Sequence, residues 1–379
     1  MTTLKLFYAT NRRHIGLDRW RPEGYDQKFS TDSSGNLRFG ELTVEADEAT
    51  VSKHLSKDVG RIGVGDGEKL SGYLAKCARN AAISAYPDPV QVDKSADIPK
   101  EQMGAKGMFS DVQSLMKQTS DVLIHIHGFN VDWHDAVGSA LALQAMLRNQ
   151  PGRDREQDVV FVLFTWPSDG KALPWVSYKS DRREAEASGE AIARAMMILL
   201  DYLRRLRGKD ACQQDIHLLC HSMGNFVLQS ALPWIDKVAL GRNLSRIFGH
   251  VFLCAPDIDD DVLEEGRPLG RLHEMASNVT VYYNRGDAAL HVSDYTKGNP
   301  ERLGSTGPAR PGQLHQKIHQ VDCSPIVGGV TEHSYYQCGR VNADIRMSID
   351  GVASDDSTGT RPRARVANFN NVWKMTPAS

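Results

Sequence analysis

Apolar positions change character part-way along the chain. In the first hundred residues only 4–9 read as a strand, and residues 51–72 mix glycine with charge without a clear period. From Ser110 the pattern becomes regular: Ser110 with Gln113 reads as a capping box opening a short helix. Apolar runs at 121–127, 159–165, 216–220, 251–254, 279–283 and 318–321 read as strands. Between them, 131–148, 181–207 and 222–240 read as helices, the second with Ile192, Met196, Leu199 and Leu203 on one stripe. Short apolar strands separated by helices predict an α/β fold whose mainly parallel central sheet is covered by helices on both faces. The expected organisation is an N-terminal extension over 1–109 that adds edge strands and loops, a catalytic core over 110–340, and a polar tail over 341–379. Within that tail only 372–375 is apolar enough to dock.

Composition narrows the function classes. A chain of 379 residues with 41% hydrophobic and 24% charged residues has the balance of a soluble globular protein. Lys plus Arg number 45 against 47 Asp plus Glu, a net charge of −2, so there is no general pull toward nucleic acid or an anionic membrane. The basic run Arg204, Arg205, Arg207 and Lys209 falls where a helix ends, and there cations complement the carbonyl dipoles. Six cysteines include no C-x-x-C pair; Cys220 and Cys254 read as reduced core thiols, while Cys323 and Cys338 either pair or stay free. The N-terminus lacks the apolar core of a signal peptide, and no run approaches the ~20 apolar residues that span a bilayer. The expectation is a cytoplasmic protein without stable membrane insertion.

The chemistry concentrates around Ser222. The apolar strand at 216–220 runs into His221-Ser222-Met223-Gly224-Asn225 and a helix follows at once. A serine on such a sharp strand-to-helix turn presents its Oγ as a nucleophile, and Gly224 supplies one of the small residues that the turn requires. Cys220 stands where glycine is usual, and as a small residue it leaves the turn intact. Acyl transfer also needs amide donors for the developing oxyanion. Met223 N–H is one candidate and Phe129 N–H, in the loop His127-Gly128-Phe129-Asn130, is the other. His125 and His127 alternate on their strand, but no third ligand stands at metal spacing, so no metal is expected. His127 fits a hydrogen-bonded structural role beneath the site. No cofactor is implied.

The base should come last in the chain, which favours His333 over His315 and His319. Asp287, in the turn after the 279–283 strand, is the expected acid that orients it. The rivals are Asp257, Asp259 and Asp260, which with Asp261 alternatively cap a helix starting near 261. Trp166, Trp175 and Tyr178 follow a strand and line an acyl or aromatic pocket, or else pack a loop over the sheet. Lys179 and Arg182 are candidates for an anionic group of the substrate.

Six segments carry a family resemblance: Phe7-Tyr8-Ala9-Thr10-Asn11-Arg12, His127-Gly128-Phe129-Asn130, Phe164-Thr165-Trp166-Pro167-Ser168, His221-Ser222-Met223-Gly224-Asn225, Ala255-Pro256-Asp257-Ile258-Asp259 and His333-Ser334-Tyr335-Tyr336. The chain resembles a group of bacterial α/β-hydrolases defined as a domain of unknown function. The resemblance implies the α/β-hydrolase fold and the order Ser, Asp, His for the catalytic residues, and little about substrate. The expected activity is hydrolysis of a carboxylic ester of a small acyl substrate through an acyl-enzyme on Ser222. Amide or thioester hydrolysis and acyl transfer use the same residues, and a non-catalytic binding module on the same scaffold is the alternative of another class.

Overall fold

In the computed structural model the chain is described over residues 1–88, 99, 102–118, 121–149, 159–168, 174–206, 214–290, 301–327, 333–356 and 358–378, the side chains of 174–177 excepted. Its first part is more ordered than its pattern of residues suggests. β1 (Thr2–Thr10) pairs antiparallel with β4 (Arg38–Ala46), which pairs with β5 (Ala82–Ala85), while β2 (Arg12–Ile15) and β3 (Gly24–Phe29) form a separate hairpin. β1 hides its alternation because both of its faces are covered: Leu4, Leu6 and Tyr8 on one side, Phe7 and Ala9 on the other, are all buried. Two helices follow, α1 (Glu48–Leu55) and α2 (Gly67–Cys77), each started by an aspartate, Asp47 or Asp66, that accepts a backbone N–H of the first turn.

α3 (Gly104–Met116) corrects one expectation. Ser110 lies in its middle, not at its start, because Met108, Phe109, Val112 and Met116 bury one face and carry the helix back to Gly104. The remaining elements alternate: β6 (Val122–Ile126), α4 (Trp133–Arg148), β7 (Val160–Thr165), α5 (Pro174–Arg205), β8 (Ile216–His221), α6 (Gly224–Ala239) and β9 (Phe248–Cys254). Then come α7 (Leu272–Met275), β10 (Ala276–Tyr283), α8 (Leu303–Thr306), β11 (Ile318–Asp322), α9 (Gly339–Ile349), β12 (Arg363–Arg365) and β13 (Val372–Met375). The strands join in one sheet of order β12-β13-β11-β10-β9-β8-β6-β7-β1-β4-β5. It is parallel from β13 to β1 and antiparallel at both edges. One face buries Ile126, Leu218 and Val251 under α3, α5 and α6; the other buries Leu123, Leu219 and Phe252 under α2, α4 and α9.

The C-terminal stretch differs from the expected polar tail. α9 packs on the sheet, and β12 and β13 form its edge, with Trp373 and Met375 buried. The cations that make this segment look solvated are satisfied inside: Arg361 Nε and Arg363 Nη1 reach the buried Asp344 of α9 at 2.8 and 3.1 Å, and Tyr282 Oη donates to the same carboxylate at 2.6 Å. A charge buried this way stays tolerable because it is paired and hydrogen-bonded. Cys323 is a free thiol, as are Cys77, Cys220 and Cys254, so Cys323 and Cys338 form no disulfide. Among the described residues no helix is long and apolar enough to cross a membrane.

Candidate active site

The carboxyl ends of β6, β8 and β10 meet at one rim of the sheet, where parallel sheets place their sites. Ser222 occupies the turn between β8 and α6 with φ of +52°, the left-handed region that a non-glycine residue adopts only when its surroundings impose it. Asn225, the second residue of α6, holds it: its side-chain Nδ2 donates to the carbonyls of Cys220 at 3.1 Å and Ser222 at 3.0 Å. The packing is backbone to backbone. A Cβ on Gly224 would lie 2.6 Å from the carbonyl oxygens of Ile126 and His127, and one on Gly128 would lie 2.8 Å from the Ser222 Cβ. Glycine at 128 and 224 therefore lets the 127–130 loop press against the turn that carries Ser222. Cys220 is tolerated where glycine was expected because it points into the core; burial pushes its thiol pKa up, which also removes it as a nucleophile.

Met223 and Phe129 border this turn from its two sides. Neither backbone N–H donates a hydrogen bond to a described residue, whereas the next two amides of the loop are used. Asn130 N donates to Asp181 Oδ2 at 3.0 Å and Val131 N to Ser168 Oγ at 3.1 Å, and Ser168 Oγ donates to Asp181 Oδ2 at 2.6 Å. Asp181 thus holds the loop, with Asn130 at φ of +57°. Beneath it, His127 Nδ1–H donates to Gly128 O at 2.8 Å while Nε2 accepts from Thr165 Oγ1 at 2.9 Å. Burial, reinforced by Arg12, depresses the His127 pKa far below the usual histidine value, so the ring is a neutral strut. Arg12 completes the brace, donating from Nε to Thr165 Oγ1 and from Nη2 to Val131 O, each at 2.8 Å.

Asp287 and His333, the acid and base expected from the sequence, lie in contact. His333 Nδ1 donates to Asp287 Oδ2 at 2.7 Å, and Asp287 is buried, its Oδ1 accepting from Ala289 N at 3.1 Å and Leu290 N at 3.4 Å. That bond makes Nδ1 the protonated nitrogen and leaves Nε2 as the basic one. The rival carboxylates are engaged elsewhere. Asp257 Oδ2 accepts from Tyr178 Oη at 2.9 Å and its Oδ1 lies 3.5 Å from Arg302 Nε, while Asp259 pairs with Arg302 at 2.5 Å. No helix starts at Asp261, since 260–270 is a run of turns.

His221, next to the serine, is a residue whose part the sequence did not disclose. Its Nε2 donates to the His333 carbonyl at 3.2 Å, and its ring lies 4.8 Å from the His333 ring and 4.6 Å from that of Tyr336. The base-bearing segment is also gripped from the N-terminal extension. Asp66 bridges to Cys338, a Cβ on Gly67 would lie 2.3 Å from Gln337 O, and one on Gly339 would lie 2.2 Å from Val64 O. The glycines of 63–67, obscure as a pattern, permit this close approach.

The aromatic expectations divide. Trp166 is fully buried, stacked on His127 with ring centres 5.3 Å apart and Nε1 donating to His127 O at 3.1 Å, so it supports the 127–130 loop. Tyr178 lies at the edge of the site, its ring 5.8 Å from that of Phe129. The side chain of Trp175 lies outside the described residues. Arg182 stacks on Phe226 of α6 at 3.6 Å.

Comparison with known proteins adds no substrate. The uncharacterized protein alr1448 of Nostoc sp. (strain PCC 7120) is 30% identical over 212 residues, which are 45% of this chain and 53% of that protein. The chain therefore spans about half the length of that curated relative. Solved structures with a similar course include Aspergillus fumigatus lipase B, at 12% identity and a TM-score of 0.34 over 61% of this chain and 52% of that one. An inhibited esterase B from Lactobacillus rhamnosis has 12% identity and a TM-score of 0.35 over 62% and 78%. Likenesses this distant carry no argument about chemistry. Residues 106–340, which hold the serine turn, the 127–130 loop and the Asp287–His333 pair, match the family described as α/β hydrolases of unknown function (DUF900), and the chain belongs to that family.

Proposed function

We propose that this protein is a serine hydrolase that cleaves carboxylic esters through an acyl-enzyme on Ser222. The observation that supports the reading best is the 2.7 Å bond from His333 Nδ1 to the buried Asp287, on a segment that His221, the neighbour of Ser222, reaches through the His333 carbonyl at 3.2 Å. In the proposed reaction His333 Nε2 takes the Ser222 hydroxyl proton as Oγ attacks the acyl carbon. The oxyanion that forms accepts from Met223 N–H and Phe129 N–H, neither of which donates to a described residue. His333 then passes its proton to the leaving alkoxide as the ester C–O bond breaks. A water, deprotonated by the same imidazole, attacks the acyl-enzyme and releases the acid, restoring Ser222. Asp287 fixes the tautomer and stabilises the imidazolium without taking the proton.

The test is a pre-steady-state assay with p-nitrophenyl esters of increasing acyl length. The expected result is a burst of p-nitrophenol equal to the enzyme concentration, followed by a slower steady rate. Folded protein that releases no p-nitrophenol from any member of the series contradicts ester hydrolysis.

A further inference from the structure

Large apolar side chains are exposed at scattered points of most proteins, but here three fall within seven residues. At the end of α6, Trp234 is 44% exposed, Val238 62% and Leu240 80%, whereas the first half of the helix is buried against the sheet and α5. Residues 234, 237 and 238 share one helical face. Leu240 ends the helix in the left-handed conformation at φ of +51°, one residue before Gly241, which adopts positive φ freely. The chain therefore spends backbone strain to turn a leucine outward.

Cations collar this apolar stripe. Lys237 stands over the Trp234 ring at 5.7 Å, Arg242 and Arg246 are exposed in the loop that follows, and Arg204 of α5 reaches that loop through Ser245 Oγ at 2.7 Å. The nearby acids are taken: Asp236 pairs with Arg271, and Asp201 with Arg205 at 2.6 Å. A chain of net charge −2 thus carries a local excess of positive charge around exposed Trp, Val and Leu.

We propose that this end of α6 docks on an anionic phospholipid surface. Trp234 would sit at headgroup depth, Val238 and Leu240 in the acyl boundary, and the arginines and Lys237 against phosphates. The orientation has a consequence. Ser222 precedes the other end of α6, which at 16 residues is about 24 Å long. A docked molecule holds its candidate site away from the bilayer, facing water, so docking would tether the enzyme beside a membrane without presenting that membrane as substrate.

The test is co-sedimentation with vesicles of phosphatidylcholine alone and of phosphatidylcholine mixed three to one with phosphatidylglycerol. It needs no enzymatic activity. The expected result is binding to the mixed vesicles alone, weakened by salt, with Leu240→Ala and the pair Lys237→Glu, Arg242→Glu each lowering the partition constant by about tenfold or more. Ester hydrolysis of soluble substrate stays unchanged in these variants. Equal binding to both vesicle types, or binding unaffected by the substitutions, overturns the proposal. So does sedimentation velocity that finds a wild-type dimer dispersed by Leu240→Ala, since the patch then belongs to a second copy of the chain.

Discussion

Replacing Asp287 with asparagine is expected to lower kcat for ester hydrolysis by about four orders of magnitude, and His333→Ala by about six. The larger loss follows from removing the proposed base altogether. The Asp287 effect is one of tautomer. Its Oδ2 now accepts the Nδ1–H of His333, and Oδ1 is already occupied by the amides of Ala289 and Leu290. With Oδ1 replaced by a carbonyl oxygen on those amides, the asparagine must turn its NH2 toward Nδ1. Nδ1 then has to accept, the proton moves to Nε2, and no lone pair is left there to take the serine proton. KM should change little, because none of these groups holds the acyl chain. Asp257→Asn serves as the comparison. That carboxylate meets Tyr178 and Arg302 instead of an imidazole, so its loss should cost far less in kcat. Steady-state kinetics on a p-nitrophenyl ester decide the matter. A loss below about tenfold in Asp287→Asn, or an equal loss in Asp257→Asn, removes Asp287 from the role.

The second large effect is on stability in acid. Burial pushes the pKa of His125 down to about 3, that of His250 to about 3 and that of His319 to about 4, and it depresses His127 and His221 as well. His217, Arg361, His319 and Arg363 add to the depression of His250. An unfolded chain protonates these imidazoles below about pH 6.5, whereas the folded chain waits until pH 4 to 3. The unfolded state therefore binds more protons across that window, and stability falls as pH falls. Above pH 6.5 the contribution is complete; below the folded-state values it stops changing. Each histidine gives a slope of about 1.4 kcal/mol per pH unit while it titrates. Three together give about 4, against a total stability of about 5–15 kcal/mol. Urea midpoints measured between pH 7 and pH 4.5 should drop steeply, and His125→Leu should flatten the dependence by about one histidine's share. A midpoint that holds level across this range contradicts the depressed values.

What the sequence disclosed follows from how each part is held. β6, β8, β9 and β10 are covered on both faces, so each reads as an apolar run followed by a turn; the positions of Ser222 and Asp287 just after β8 and β10 were legible for that reason. Chain order singled out His333, and the structure brings its ring to Asp287. The parts that escaped are held by long-range polar contacts that leave no local period. Asp181 looks like a charge on a helix surface, yet it is buried and carries Asn130 and Ser168. Its only trace in the sequence is that both partners lie in quoted segments of the family. Trp166 reads equally as pocket wall or strut until its indole is seen on His127. Arg361 and Arg363 look solvated because Asp344, their partner, lies on the preceding helix and is unremarkable in sequence. The grip of 63–67 on 337–339 rests on the absence of side chains, which a hydrophobic pattern does not register.

The most direct measurement is the site of a fluorophosphonate adduct, found by peptide mass spectrometry on the folded protein. A nucleophile at Ser222, with His333 as the proposed base and the amides of Met223 and Phe129 as the proposed donors to the phosphonyl oxygen, predicts stoichiometric modification of the peptide carrying that serine and none in Ser222→Ala. Modification at another residue, or native protein that takes up no reagent while its fold stays intact, contradicts the account.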